Sequence, residues 1–186
     1  PYAQQPGQDL LIQSISGYTS ICGTDGMPST GGVYVIDMYS SMILACGILS
    51  ALIHRMKTGQ GQKVEVNLLD SAFHLQSQEY GYYLNTGVLP KRLKKYTGHV
   101  YQEAPYGIYK TLDGYIAISA NMYEKEVKRF GEILGIDNLI EVMPNKKVMM
   151  ENREEIYDLI SEVIKKKPTD YWLKKFKAEG FWCAET

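Results

Sequence analysis

Asp37 is the ionisable residue with the most unusual setting in this chain, because it is the only charged side chain in the apolar stretch 33–53. A carboxylate in a buried helix is costly unless something holds it. In the first turn of a helix, however, the free N–H groups and the helix dipole favour the charged form. An ionised and partly shielded Asp37 would suit a carboxylate nucleophile. The alternative is that Asp37 is a helix N-cap with no chemical role.

The composition is that of a globular protein, with 186 residues, 45% of them hydrophobic and 22% charged. This length suits one large domain or two small ones. The chain has 20 Lys and Arg against 21 Asp and Glu, for a formal net charge of −1. Such a balance gives no reason to expect nucleic acid as a partner.

The cysteines and the apolar segments bear on where the protein works. Cys22, Cys46 and Cys183 are far apart in sequence and match no disulfide or metal-ligand spacing, so we expect a reducing cytoplasm and no metal. The chain opens without a basic region and an apolar core, so no signal peptide is expected. The longest uncharged run, 38–53, is shorter than a membrane span and contains serines. It predicts a buried helix and no membrane partner.

Periodicity and turn residues predict the elements of secondary structure. We expect a helix over 9–17, a loop over 22–32, a central helix over 36–55, a strand over 63–67 and a helix over 68–84. An irregular segment follows over 88–103 and carries the basic run 91–95. Asp113-Gly114 between two β-rich runs then predicts a hairpin. Three helices, over 123–134, 152–166 and 169–178, complete an α+β subdomain that starts near residue 104.

An ordered series of short motifs runs along nearly the whole chain. The motifs are Gly7-Gln8-Asp9, Ser16-Gly17, Cys22-Gly23, Pro28, Asp37, Ala51-Leu52, Arg55, Thr58-Gly59-Gln60-Gly61-Gln62, Val64-Glu65-Val66, Leu68-Leu69-Asp70, Ala104-Pro105-Tyr106-Gly107, Asp113-Gly114 and Ala178-Glu179-Gly180-Phe181-Trp182-Cys183. This series resembles the class III CoA-transferase family, which includes formyl-CoA, carnitine and bile-acid CoA-transferases. Trp182 stands where that family usually has proline.

The resemblance implies an α/β and α+β architecture. Residues 1–103 would supply the central helices and linker of a Rossmann-like large domain, and residues 104–186 a small α+β domain with a β-hairpin and helices. Family members are about twice this length. We therefore expect the N-terminal CoA-binding half and a C-terminal return segment to be absent from this chain. Family members form dimers of two interlocked rings, which predicts a homodimer.

The resemblance also implies the chemistry of Asp37. In the family, the matching aspartate attacks an acyl-CoA thioester and forms a mixed anhydride, which free CoA thiolate converts to an aspartyl-CoA thioester. An acceptor acid then attacks, and a new acyl-CoA leaves. The expected substrates are therefore coenzyme A, as acyl-CoA, and a small carboxylic acid.

Gln8 separates this expectation from a related one. The similar α-methylacyl-CoA racemases use a histidine and an aspartate as two bases, and their histidine stands where this chain has Gln8. An amide cannot take up a proton near neutral pH, so Gln8 favours transfer over racemisation. Gln8 would then hydrogen-bond a substrate oxygen. The alternative is a polar residue that only faces solvent.

The resemblance places further candidates in the second half of the chain. Gly98 and His99 lie where some family members have a glycine-rich flap over the acyl site, although no glycine run is present here. Tyr106 belongs to a set of tyrosines that would suit a carboxylic-acid pocket or a dimer interface. The basic run 91–95 could reach CoA phosphates or be a solvated loop. A non-catalytic role, as a dimerisation or acyl-binding module, is a third possible function.

Overall fold

The computed structural model describes Gln4 and residues 6–96, 98–120 and 122–186. The chain divides into two compact units. The first consists of Pro1–Gly23 and Met27–Pro90, and the second of Thr24–Gly26 and Lys91–Thr186. Residues 91–103 therefore pack with the second unit.

The first unit is mainly helical. Its elements are α1 (Asp9–Ile15), α2 (Tyr18–Ile21), α3 (Val35–Thr58), α4 (Leu68–Leu75) and α5 (Ser77–Thr86). Two short strands, β1 (Gly23–Thr24) and β2 (Met27–Pro28), pair inside the segment that we expected to be a loop, and the boundary between the units falls within β1. The predicted helix over 9–17 is confirmed. The helix predicted over 68–84 is divided at Gln76, whose side-chain amide donates to the carbonyl oxygens of Ser16 and Ala72.

The central helix α3 is confirmed, but its predicted burial is wrong. Among its residues only Ile36 and Ser40 are buried. α1 and α4 pack against α3, and together they leave large apolar side chains exposed, among them Met38 at 67%, Leu49 at 60% and Met56 at 86%. By length and composition alone, this 24-residue helix, in which an 18-residue window has a mean hydropathy of 1.8, could cross a membrane.

The strand predicted over 63–67 is absent from the structure, which has an extended segment without a paired strand there. Val64 and Val66 are half-buried while Lys63, Glu65 and Asn67 are exposed, so burial alternates along the segment as its sequence alternates. The two valines are half-buried because the segment packs against a helix. A Cβ added to Gly47 of α3 would lie 2.8 Å from Val64 Cγ1, which shows how closely the segment approaches that helix.

The second unit contains a three-stranded antiparallel sheet and five helices among its described residues. The strands, in the order β3-β4-β5, are β3 (Gly107–Lys110), β4 (Tyr115–Ile118) and β5 (Cys183–Glu185). The helices are α6 (Glu124–Leu134), α7 (Leu139–Val142), α8 (Lys146–Glu151), α9 (Arg153–Ile164) and α10 (Thr169–Ala178). The hairpin and three of the helices match the prediction. β5, α7 and α8 were not predicted.

The hydrophobic core belongs to the second unit. Among the described residues, every buried apolar side chain except Ile36 and Ala72 lies there. Phe130 and Phe176 stack with their ring centroids 5.2 Å apart. The chain thus joins a unit with its own core to one that buries little apolar surface.

Asp113 connects the hairpin turn to α10. Its Oδ1 accepts hydrogen bonds from the Thr169 backbone N–H at 2.8 Å and from the Thr169 hydroxyl at 3.0 Å. The Thr111 hydroxyl lies 3.3 Å from the same oxygen. The backbone hydrogen bond from Thr169 is the main reason that the pKa of the Asp113 carboxyl lies below its ordinary value. The turn residue therefore caps a helix that begins far along the chain.

We expect Asp113→Ala to lower the melting temperature of the second unit at pH 7. Because the folded-state pKa is lowered, the stabilisation is present above the unfolded value of about 3.9 and is lost as the pH falls through the folded value. The difference in melting temperature between wild type and variant should therefore shrink in acid. Circular dichroism melts from pH 7 to pH 2 measure it.

Asp170→Ala is the matched control, since Asp170 is an exposed residue of the same helix terminus whose one ion pair among the described residues is with Lys174. It should change the melting temperature little. A difference for Asp113→Ala that stays constant down to pH 2 would contradict this role of the carboxylate.

Candidate active site

Asp37 lies in the first turn of α3 and is partly buried, but it does not cap the helix. The N-cap position belongs to Tyr34, and the capping oxygen comes from Asp9 of α1. Asp9 Oδ1 accepts from the backbone N–H of Ile36 at 2.8 Å and from that of Asp37 at 3.2 Å. In this structure the interpretation of Asp37 as an N-cap does not hold.

The other amides of the first turn of α3 also have acceptors. The N–H of Val35 donates to the carbonyl of Val33 at 2.7 Å, and that of Met38 donates to the carbonyl of Tyr34 at 3.0 Å. The Asp37 carboxylate makes no hydrogen bond or ion pair with any described residue. It therefore stands at the positive end of a long helix dipole with its oxygens available to a substrate.

Asp9 is the site residue that the sequence analysis missed. It is only 2% exposed, and so is buried despite its charge. Its Oδ2 accepts from the side-chain amide of Gln13, which is also buried. Gln13 Oε1 in turn accepts from the Gly31 N–H at 3.1 Å. The i,i+4 spacing of Asp9 and Gln13 in a helix whose other residues, apart from Ser14, are apolar was the signal that could have identified this pair.

A depression of about 360 Å³ opens beside the start of α3. Its lining residues come from α1 and from the segment that leads into α3, namely Asp9, Leu10, Gln13, Thr30, Gly32, Val33 and Tyr34. The depression lies within the first unit and adjoins the turn that carries Asp37. It combines apolar walls with a few polar groups, as small-molecule sites do.

Gln8 is the N-cap residue of α1 and precedes Asp9. Its carbonyl accepts from the Ile12 N–H at 3.0 Å, while its side chain makes no capping hydrogen bond and is exposed. Exposure suits both a substrate contact and a solvent-facing residue. Gln8 and Asp37 therefore belong to the same unit. Asp9 follows Gln8 in the sequence and accepts a hydrogen bond from the backbone N–H of Asp37.

Gly98, His99 and Tyr106 belong to the second unit. A Cβ added to Gly98 would lie 2.7 Å from the Tyr157 hydroxyl and 2.8 Å from the Tyr106 carbonyl oxygen. Tyr157 donates its hydroxyl hydrogen bond to that same carbonyl. His99 Nδ1 accepts from the backbone N–H of Tyr101 at 3.2 Å. Gly98 is thus required for close packing, whether or not it also contacts a substrate.

Arg153 holds the segment that contains His99. Its guanidinium is 5% exposed and donates to four backbone carbonyls: those of His99, Val100 and Gln102 at 3.1–3.3 Å and that of Lys91 at 2.6 Å. Burial lowers the pKa of this guanidinium from its ordinary value. The buried Arg153 side chain therefore supplies hydrogen bonds to four backbone carbonyls of a long irregular segment.

The basic run 91–95 is partly engaged within its own unit. The backbone N–H of Lys94 donates to Glu154, and Lys95 Nζ lies 3.0 Å from Asp158. These contacts are with helix α9 and are largely exposed, so they contribute little stability.

The tyrosines near this segment form a stack. Tyr157 lies between Tyr96 and Tyr109, with ring centroids 5.0 Å and 5.2 Å away. Burial, and next the hydrogen bond to Asp158, raises the pKa of Tyr96 to about 12. Tyr106, by contrast, is 37% exposed. Of these four tyrosines, Tyr106 is the one whose side chain is open to a ligand.

The comparisons with known proteins agree on one family. A model described as CoA-transferase family III matches residues 1–186. The succinate–glutarate CoA-transferase of Agrobacterium fabrum is 31% identical over 164 residues, which cover 87% of this chain and 40% of that protein. The human succinyl-CoA:glutarate CoA-transferase is 30% identical over 186 residues, which cover 97% of this chain and 41% of that protein.

A solved structure has the same fold. The crystal structure of a CaiB/BaiF family protein from Brucella suis superimposes with a TM-score of 0.80 at 28% identity. The match covers 99% of this chain and 48% of that one. The chain therefore spans less than half the length of these relatives.

We expect Gly98→Ala to destabilise the second unit by about 1–3 kcal/mol, because the added methyl group overlaps Tyr157 and the Tyr106 carbonyl. Urea unfolding at pH 7 measures this loss. The matched control is Gly61→Ala, whose Cβ would meet no atom within 4 Å, and it should change stability by less than about 0.5 kcal/mol. An unchanged unfolding midpoint for Gly98→Ala would show that Gly98 is not needed for packing.

Proposed function

Because the chain belongs to CoA-transferase family III, as its ordered motifs predicted, we propose that the whole protein moves coenzyme A from an acyl-CoA to a free carboxylic acid. The names of the relatives in Agrobacterium and in humans pair succinate or succinyl-CoA with glutarate. They support a small acid as the acceptor. Coenzyme A enters as a substrate, in the form of its thioester.

The observation that carries the proposal is the setting of Asp37. Its carboxylate lies in the first turn of α3, while the amides of that turn are occupied by Asp9 and by backbone carbonyls. A carboxylate that accepts no hydrogen bonds keeps its lone pairs available, which is what a nucleophile needs. The adjoining depression can admit the reacting end of a substrate.

In the proposed reaction, an oxygen of Asp37 attacks the thioester carbonyl and CoA thiolate leaves, which gives an aspartyl–acyl anhydride. The thiolate then attacks the Asp37 carbonyl of the anhydride, and the first acid leaves as a carboxylate. The acceptor carboxylate attacks the aspartyl thioester and releases the thiolate again. Finally the thiolate attacks the acceptor's carbonyl, and Asp37 is regenerated. Each step exchanges one acyl bond for another, so no oxidant or reductant is needed.

Other residues have supporting roles in this proposal. The exposed Gln8 amide would donate to a substrate oxygen, and because it cannot take up a proton, it does not favour racemisation. Gly98, His99 and Tyr106 of the second unit would contact the acyl group. We further propose a Rossmann-like large domain over 1–103, whose final linker 91–103 packs with the second unit, a small domain over 104–186, and an interlocked homodimer in the cytoplasm. One observation favours the alternative of a non-catalytic module, namely the exposed apolar side chains of α3.

We expect Asp37→Ala to reduce CoA transfer by about 10³-fold or more, because it removes the nucleophile. The assay is transfer from succinyl-CoA to glutarate, followed by a hydroxylamine quench and peptide mass spectrometry. Wild type should carry a hydroxamate on Asp37. The variant should carry none and should melt at the wild-type temperature, because the Asp37 side chain bonds to no described residue.

Asp137→Ala, a change at an exposed carboxylate in the second unit, is the control and should keep wild-type transfer. Normal turnover by Asp37→Ala would refute the proposed mechanism. A wild-type chain that binds CoA esters without forming an adduct would favour the non-catalytic module.

A further inference from the structure

Two carboxylates with opposite surroundings meet at the first turn of α3: Asp9, which belongs to α1, and Asp37, which belongs to α3. Asp9 is buried and accepts three hydrogen bonds, from the Ile36 and Asp37 amides and from Gln13. Asp37, one helical position after Ile36, accepts none from the described residues. The difference needs a physical cause, because both are short carboxylates at the same helix end.

An aspartate in the first turn of a helix ordinarily folds back onto the free amides of its own turn. The amides of Ile36 and Asp37 are the ones without a backbone acceptor in this turn, and Asp9 Oδ1 occupies both. The Asp37 carboxylate is thereby left without local donors. A second negative charge so near also disfavours any approach of Asp37 to the same amides.

We propose that Asp9 is a positioning residue for Asp37: its buried carboxylate takes the helix amides and so keeps the Asp37 carboxylate free to attack the thioester. This inference rests on the proposed function, because it gives Asp9 a role in the same reaction. Asp9 touches no reacting atom in this scheme and acts only through the start of α3.

The surroundings of Asp9 fix it in this role. Gln13 donates to Asp9 Oδ2 and accepts from Gly31 N–H, so it ties α1 to the segment that enters α3. At Gly31 a Cβ would lie 3.0 Å from the Tyr18 hydroxyl and 3.4 Å from Val35 Cγ1, which shows how closely that segment is packed. The Asp9 carboxylate therefore accepts hydrogen bonds both from α1 and from the start of α3, and it stays in place when the Asp37 side chain changes rotamer.

The test compares Asp9→Ala with Asp9→Asn and with Gln76→Ala. Gln76 is also buried in the same unit and donates to Ser16 and Ala72, and none of its described hydrogen bonds is to a residue of α3. The measurement is the single-turnover rate at which succinyl-CoA forms the Asp37 adduct, with kcat and KM for transfer, at a temperature where every variant is folded.

For Asp9→Ala we expect the adduct rate and kcat to fall about 10²-fold with KM little changed, since Asp37 would turn onto its own helix amides. Asp9→Asn keeps one oxygen acceptor for those amides and should recover most of the rate. Gln76→Ala should lower the melting temperature but leave the rate at the wild-type level. A wild-type rate for folded Asp9→Ala, or an equal loss in Gln76→Ala, would overturn the inference.

A second measurement separates this inference from the proposed function. Nuclear magnetic resonance of the protein without substrate reports the Asp37 side-chain rotamer and the exchange rates of the Ile36 and Asp37 amides. In Asp9→Ala the rotamer should change and Asp37 should protect these amides in place of Asp9. If wild type forms no adduct but this change occurs, the proposed function fails and the positioning stands. An unchanged rotamer would disprove the positioning whatever the activity.

Discussion

The two hydrogen bonds that the Asp9 carboxylate accepts from the amides of Ile36 and Asp37 fix the geometry on which the candidate site depends. They join α1 to the start of α3 and satisfy the two amides that have no backbone acceptor. A charged group buried to this extent is tolerated only because it is fully hydrogen-bonded. The hydrogen bonds that offset the cost of burying Asp9 therefore also fix the position of the first turn of α3, which carries Asp37.

The two units differ in how they are stabilised, and this difference bears on how the site works. The second unit has a closed aromatic and aliphatic core, whereas the first buries Ile36 and Ala72 and exposes much of α3. A helix with this many exposed large apolar side chains is unusual on a protein that works alone. The Asp37 carboxylate thus lies in the unit that buries the smaller number of apolar side chains.

The elements that the sequence predicted correctly are those set by local physics. The 3.6-residue period gave α3, α9 and α10, and Asp113-Gly114 gave the hairpin between β3 and β4. The strand over 63–67 was wrong because alternation shows only that one side is buried, and here a helix covers that side. Asp9 was missed because its role depends on contacts with amides 27 and 28 residues away. The packing role of Gly98 likewise depends on Tyr157, which lies in another helix.

The contrast between Asp9 and Asp37 shows how one helix end can give identical functional groups different tasks. A carboxylate that accepts several N–H bonds is a good structural anchor and a poor nucleophile, because its lone pairs are engaged. A carboxylate left without donors has the opposite properties. Since a helix start offers a fixed number of free amides, giving them to Asp9 withholds them from Asp37. The reactivity proposed for Asp37 is therefore a property of the pair, and it originates in the residue that takes no part in the chemistry.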